Sequence, residues 1–348
     1  MRVSPCNILY FGSNVPTSTS RHRADALVRL GCTVSIIDLE ELIGLYTWQA
    51  FFHYRTGYRL LQRRLLNKIQ SSMSLITHSP DLIWVNGGSL LGPACLKWLR
   101  FKFACKIILY QNDDPTGSRD GNCFLTLRDA LPFYDLCALV RPETALEALA
   151  IGAQRVLRVF MSYDEVHHAS AHLILQQSPE PPKPVVSFIG TLIPGEARDR
   201  FLVSLMYSGV PLRLIGNLWH RSSLWPLLRT IYQGPACGGT GYSLALGDAA
   251  VTLGLLSHQN RDLVTTRSFE ATACGGLLCA ERTSEHQLLY EQSYEAVFWG
   301  SADECSVQCN ILLNNSELRQ EICANGYNHV RSAGLGNEDV CRRILDTI

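Results

Sequence analysis

Thr266-Arg267-Ser268-Phe269-Glu270-Ala271-Thr272-Ala273-Cys274-Gly275-Gly276, running on into Leu277-Leu278-Cys279-Ala280, reads as a short helix, a glycine turn and a buried strand. Phe269, Ala273 and Cys274 fall at helical spacing and make a small apolar face. Gly275-Gly276 stops such a helix, because glycine enters the left-handed conformation without a Cβ penalty. The apolar run that follows suits a parallel strand covered on both faces. Glu270 stands out: it is a carboxylate beside that packed face, at the crevice end of an α/β unit. It is either a solvated helix glutamate or a contact to a ligand.

The same alternation extends outward in both directions. Upstream, strands are expected at 185–190, 210–216 and 250–254, with helices at 198–208 and 242–246 between them. Further back, strands at 7–12, 33–38, 82–86, 106–110, 136–140 and 155–160 alternate with helices at 21–30, 90–101, 123–131 and 143–151. Strands and helices in that rhythm predict parallel sheets with helices on both faces. Between the two series lies Gln176-Gln177-Ser178-Pro179-Glu180-Pro181-Pro182-Lys183-Pro184, whose prolines forbid helix and stiffen the chain. The expectation is therefore α/β, with two Rossmann-like doubly wound domains, 1–175 and 185–348, joined by a linker at 176–184 and facing across a cleft. The last helix is expected to pack back on the N-terminal domain.

Composition narrows the function. Lysine plus arginine equals aspartate plus glutamate at 31 each, which argues against a generally basic nucleic-acid binder. No apolar run approaches the ~18 residues of a membrane span. Met1 to Asn7 lacks the apolar core of a signal peptide, so a soluble, cytoplasmic protein is expected. The 13 cysteines are scattered, with no Cys-x-x-Cys pair, and read as buried free thiols rather than disulfides or a zinc site. Residues 48–73 form an amphipathic helix carrying Arg55, Arg59, Arg63, Arg64 and Lys68. That face is either solvated or a dock for an anionic partner or membrane surface.

Ligands of parallel sheets gather at the carboxyl ends of the strands. Those ends carry Gly12-Ser13, Asn86-Gly87-Gly88 and Asn112-Asp113-Asp114. Gly12 stands without the further glycines of a dinucleotide fingerprint, which disfavours nicotinamide binding. The loop after it leads to a helix bearing Arg21, His22 and Arg23, and a helix N-terminus can hold a sugar or phosphate. Asp113 and Asp114 could supply a general base, a sugar-hydroxyl acceptor or a metal ligand, or cap the strand as an Asx turn.

Several of these pieces, namely Val186-Ser187-Phe188-Ile189-Gly190, Leu212 to Gly216 with Trp219, and Thr266 to Gly275, resemble the glycosyltransferase-like domain of CgeB-type spore-maturation proteins, a branch of the GT-B glycosyltransferases. The first half is similar to the domain that often precedes it, through Asn112-Asp113-Asp114-Pro115 and Tyr134-Asp135-Leu136. The resemblance implies transfer of a sugar from a nucleotide-diphosphate sugar to an unidentified hydroxyl acceptor on a glycan, protein or small molecule. It implies no metal and no cofactor beyond the donor itself. Donor binding is expected in the C-terminal domain, with Glu270 on the ribose hydroxyls and Arg267, Arg261 and Arg198 as diphosphate partners beside Gly190 and Gly275. The acceptor is expected in the N-terminal domain near Gly12 and Ser13. Asp113 or Asp114 would be the base of an inverting transfer, with His22 behind them. Retaining relatives carry a second glutamate eight residues before the first; here that position is Asp262, so the pair is incomplete and the stereochemistry open. A sugar-nucleotide epimerase, or a binding protein without turnover, would use the same fold.

Overall fold

Ile8 pairs in parallel register with Val34 on one side and Leu82 on the other, which puts the first strand inside a sheet. The structure, a computed structural model, describes residues 6–74, 79–177 and 183–348. The chain divides into two units. The first holds the described residues up to Phe160, with Gln259–Arg261 and Asn337–Ile348; the second holds Met161–His258 and Asp262–Gly336.

The sheet of the first unit is built from β1 (Asn7–Phe11), β2 (Thr33–Ile37), β3 (Leu82–Asn86), β4 (Lys106–Gln111), β5 (Leu136–Leu139) and β6 (Val156–Arg158), in the order β2-β1-β3-β4-β5-β6. Its pairings are all parallel. Helices supply the crossovers that parallel pairing needs, so the central strands are covered on both faces, and Ile107 to Tyr110 are wholly buried. Connection direction reverses between β1 and β3. Such a switch point leaves a crevice at the strand ends.

The second unit repeats the plan with β7 (Lys183–Ile189), β8 (Leu212–Ile215), β9 (Tyr232–Gly234), β10 (Ala249–Gly254), β11 (Leu278–Glu281) and β12 (Val297–Trp299), in the order β12-β11-β10-β7-β8-β9. Here the switch point lies between β7 and β10. The opening stretch folds as read: helix Thr266–Ala273, Gly275 at φ +78°, and β11 inside the sheet.

Three elements depart from the expectation. The basic helix of 48–73 is broken into Thr47–Arg55 and Gln62–Met73, because Gly57 (φ 64°) and Tyr58 (φ 58°) turn left-handed between them. Gly57 is required there, since a Cβ would sit 2.4 Å from the Asn122 carbonyl oxygen. The helix His167–Gln176 went unread in the sequence, and it packs against Gly239–Gly247 and Thr266–Ala273 of the second unit. The chain thus passes between units at Phe160–Met161, ahead of the proline-rich stretch, of which 178–182 lie outside the described residues. Within the first unit the final helix, Asn337–Thr347, packs on Thr19–Arg29, where Arg29 pairs with Glu338 at 2.5 Å.

Candidate functional site

In the second unit Glu270 is no surface residue: its side chain is 6% exposed. Tyr242, on the helix Gly239–Gly247, donates its phenolic hydrogen to Glu270 Oε2 at 2.5 Å. Burial, reinforced by the Glu270 charge, holds the Tyr242 phenol well above its ordinary pKa, so it stays a donor. His168 Nε2 lies 3.8 Å from the other carboxylate oxygen. His168 Nδ1 lies against the Asp164 backbone, 2.9 Å from its amide nitrogen and 3.1 Å from its carbonyl oxygen, while Nε2 turns toward Glu270. One carboxylate oxygen is therefore fixed by Tyr242, while Oε1 keeps acceptor capacity.

The helix bearing Glu270 is anchored from below. The Thr265 amide donates to Ser268 Oγ at 3.2 Å, and Ser268 Oγ lies 2.8 Å from His286 Nε2. His286 Nδ1 is 2.7 Å from the Glu281 carbonyl, which can only accept. The neutral ring thus carries its hydrogen on Nδ1, and Ser268 donates to Nε2. Burial pushes the His286 pKa down to about 4, which keeps the ring neutral.

Arg198 and Arg267 both approach the Phe188 ring, with Cζ 5.9 and 5.8 Å from its centroid. Arg198 is buried and donates to the carbonyls of Thr191 (3.0 Å) and Leu256 (2.7 Å), which ties the loop after β7 to the end of β10. Arg267 Nε is buried without a hydrogen-bond partner among the described residues. Gly190 and Gly216 meet at the β7 and β8 ends: a Cβ on Gly216 would lie 1.9 Å from the Gly190 carbonyl oxygen, which accepts from Trp219 Nε1 at 2.8 Å. Gly275 serves packing, since a Cβ there would strike His172 Nδ1 at 2.0 Å. Asp262 is buried, its amide donating to the Ser257 carbonyl.

A feature the sequence did not announce lies beside these loops. His258 Nδ1 is 2.9 Å from Glu196 Oε2, and its Nε2 is 2.9 Å from both oxygens of Glu281. Partial burial pulls the ring's pKa down, but the two carboxylates outweigh it and hold the net value above 6.5. The ring joins the loop after β7 to the end of β11.

In the first unit a cavity of about 230 Å³ opens at the β1/β3 switch point, with Gly12, Ser13, Asp38, Glu40, Asn86 and Ser89 among its lining residues. Gly12 is there for closeness: a Cβ would lie 2.4 Å from Ser20 Oγ. His22 is buried in the adjoining helix. Under the strand ends Arg23 is also buried, stacked 3.6 Å from the Tyr110 ring centroid and donating to Asn86 Oδ1 at 2.8 Å.

The two adjacent aspartates have opposite fates. Asp114 is buried and takes Arg261 Nε at 2.6 Å and Nη2 at 2.7 Å, besides the hydroxyls of Thr144 (2.7 Å) and Thr116 (3.1 Å). Desolvation raises its pKa, but the hydrogen bonds from Arg261 and Thr144 overcome that and hold it below the usual carboxylate range. Arg261 also grips Glu147 at 2.8 and 2.7 Å, so its guanidinium is committed within the first unit rather than open to a diphosphate. Asp114, with its oxygens occupied, is a poor base. Asp113 is solvent-exposed, and the bulk of protein around it still pushes its carboxyl pKa upward despite Arg141.

Cys279, Cys305 and Cys309 bring their sulfurs within 4.8 Å of one another, all buried; among the described residues no fourth histidine, cysteine or carboxylate completes a tetrahedral set. They fill the core between β11 and the helix Ala302–Asn314.

Residues 198–346 match the glycosyl transferase-like family. No curated protein matches the sequence. Among solved structures, sucrose-phosphate synthase from Thermosynechococcus elongatus superposes with a TM-score of 0.70 over 98% of each chain at 13% identity. HepE from Anabaena, solved in complex with UDP-glucose, gives a TM-score of 0.66 over 98% of this chain and 99% of its own at 14% identity. The α,α-trehalose 6-phosphate synthase from Burkholderia multivorans gives 0.61 over 99% and 98% at 11% identity. Likeness at that identity carries the fold, and the two six-stranded parallel sheets agree with it. The chain thus has the GT-B fold, and its residues 198–346 match the glycosyl transferase-like family.

Proposed function

We propose that this protein is a glycosyltransferase of the CgeB-type branch that takes its sugar from a nucleoside-diphosphate sugar and passes it to a hydroxyl acceptor. The observation that carries this reading is the setting of Glu270, a buried carboxylate whose orientation Tyr242 fixes at 2.5 Å while Oε1 retains acceptor capacity. A carboxylate held in this way accepts the two hydroxyls of a ribose without reorganising. Arg267 supports the diphosphate: its buried Nε lacks a partner among the described residues, and its guanidinium shares the Phe188 ring with Arg198. Positive charge at that point stabilises the leaving diphosphate as the glycosidic bond breaks. HepE, crystallised with UDP-glucose, makes that donor the first to try.

The acceptor is assigned to the first unit, whose cavity at the β1/β3 switch point offers hydroxyl, amide and carboxylate groups to a polyhydroxylated molecule. Asp113 takes the acceptor proton: it is open to solvent and its raised pKa makes it a better base than Asp114. A panel of nucleoside diphosphates and nucleotide sugars in a thermal-shift assay tests the donor half, since a ligand bound only by the folded state raises its melting temperature. Turnover of the best donor with release of nucleoside diphosphate tests the transferase. Affinity without release, under an acceptor screen, would instead favour a binding protein.

A further inference from the structure

The chain is electrically neutral, yet from Leu42 to Pro80 it has no aspartate or glutamate and carries Arg55, Arg59, Arg63, Arg64 and Lys68. The helix Thr47–Arg55 inside this stretch buries none of its residues. Trp48, Phe51 and Phe52 are 70%, 62% and 50% exposed. With Arg55 they fall at i, i+3, i+4 and i+7, so the three rings share one helix face and the basic residue sits at its end. Tyr46, Tyr54 and Leu60 are exposed beside them. A water-soluble surface gains nothing from so many uncovered aromatics, and contiguous patches of this kind mark a contact site.

The next helix carries further charges, and Leu60, between the two helices, lines their cavity. Leu65, Ile69 and Met73 of Gln62–Met73 face the core, and the opposite face carries Arg63, Asn67 and Ser71 in line with Arg64 and Lys68. Leu60, Arg63, Arg64, Asn67, Lys68 and Ser71 line one open cavity of about 550 Å³. Three cations and two polar side chains around a concavity suit an anionic headgroup. Arg59 is differently placed, paired with Asp129 at 2.8 Å, and is left out of the count.

We infer that this surface docks the protein on an anionic lipid bilayer, with Trp48, Phe51 and Phe52 inserted at the headgroup level and Arg63, Arg64 and Lys68 holding lipid phosphates. Charge complementarity selects this occupant: Tyr54 meets Asp120 at the edge of the patch, but Trp48, Phe51 and Phe52 lie in a stretch with basic and no acidic residues, which matches an anionic leaflet offering apolar depth and negative charge together. The contact is peripheral, because no helix among the described residues is long and apolar enough to cross a membrane. This inference stands independently of the proposed reaction.

The test is co-sedimentation of the full chain with vesicles of pure phosphatidylcholine and with vesicles in which a third of the lipid is phosphatidylglycerol, at low and at physiological salt. Binding to the anionic vesicles is expected, weakening with salt, with little to the neutral ones. The triple variant Arg63→Gln/Arg64→Gln/Lys68→Gln should lose on the order of a hundredfold in partitioning, and Trp48→Ala/Phe51→Ala a comparable amount. The second variant should melt near the wild-type temperature, since those side chains are mostly exposed. Equal sedimentation with neutral and anionic vesicles, or wild-type binding by both variants, overturns the inference. A concentration-dependent dimer that disappears in Trp48→Ala/Phe51→Ala, without vesicle binding, also overturns it and assigns the face to a second copy of the chain.

Discussion

Arg261 closes on Asp114 with two hydrogen bonds, 2.6 Å from Nε and 2.7 Å from Nη2, and does so from a backbone held at φ 53°. The Asp114 side chain is 1% exposed, so removing the arginine strands a buried charge. Arg261→Met should lower stability by about 2–3 kcal/mol, the cost of breaking a buried pair reduced for the part of Arg261 that meets solvent. Because the folded-state pKa of Asp114 is depressed, its stabilisation is present above pH 3.8 and lost as pH falls through the lower folded value. Acid-unfolding curves of wild type and Arg261→Met should therefore differ most at neutral pH and converge in strong acid. Curves offset equally at every pH would remove the ion pair as the cause.

The neighbouring Asp113 has no such structural task. Asp113→Asn should leave the melting temperature near that of wild type and lower kcat by about 10²–10⁴, the range of a lost general base. Asp114→Asn should do the reverse, with its principal effect on the melting temperature. Full kcat in Asp113→Asn would exclude it as the base.

His286 couples acid sensitivity to the helix that bears Glu270. Its folded pKa of about 4 lies below the ordinary 6.5, so the unfolded chain takes up a proton first as pH falls. Stability should decline between pH 6.5 and 4 by about 3 kcal/mol from this residue alone. Denaturant titrations of wild type and His286→Gln across that interval measure it: the variant is expected to be less stable at pH 7 but flatter toward acid.

His258 has the opposite sign. Its pKa is raised, so its contribution is complete below pH 6.5 and lost as pH rises through the folded value. An NMR titration of its ring should give a midpoint above 6.5 that moves down in Glu281→Gln. A midpoint at or below 6.5 in wild type would mean that the two carboxylates do not control the ring.

Much of the fold was legible because parallel strands buried on both faces write themselves as apolar runs, as Ile107 to Leu109 and Leu277 to Ala280 do. The break in the basic helix was harder to read. Gly57 alone costs a helix little, and only its approach to the Asn122 carbonyl makes the left-handed turn obligatory. The helix His167–Gln176 was missed because its apolar residues lack strong periodicity beside the prolines. In the candidate site, Glu270 and Arg267 were proposed from one contiguous motif. Tyr242, His168 and His286 were not, since each meets that motif only through tertiary packing. Arg261 was read as a diphosphate partner from proximity in sequence; Asp114 and Glu147, more than a hundred residues away, engage it instead. The same holds for Cys279, which joins Cys305 and Cys309 only through the packing of a helix on β11.

The central claim is that Glu270 holds the ribose of a nucleoside-diphosphate donor. Isothermal titration of UDP and UDP-glucose into wild type, Glu270→Gln and Tyr242→Phe addresses it directly, with circular dichroism confirming that the variants are folded. The account predicts measurable binding by wild type, a loss of at least tenfold in Glu270→Gln, and a smaller loss in Tyr242→Phe, which frees the carboxylate without removing it. If another nucleoside diphosphate gives the largest thermal shift, it replaces UDP in the titration. Affinity unchanged in a folded Glu270→Gln would contradict the account and leave Glu270 a structural partner of Tyr242.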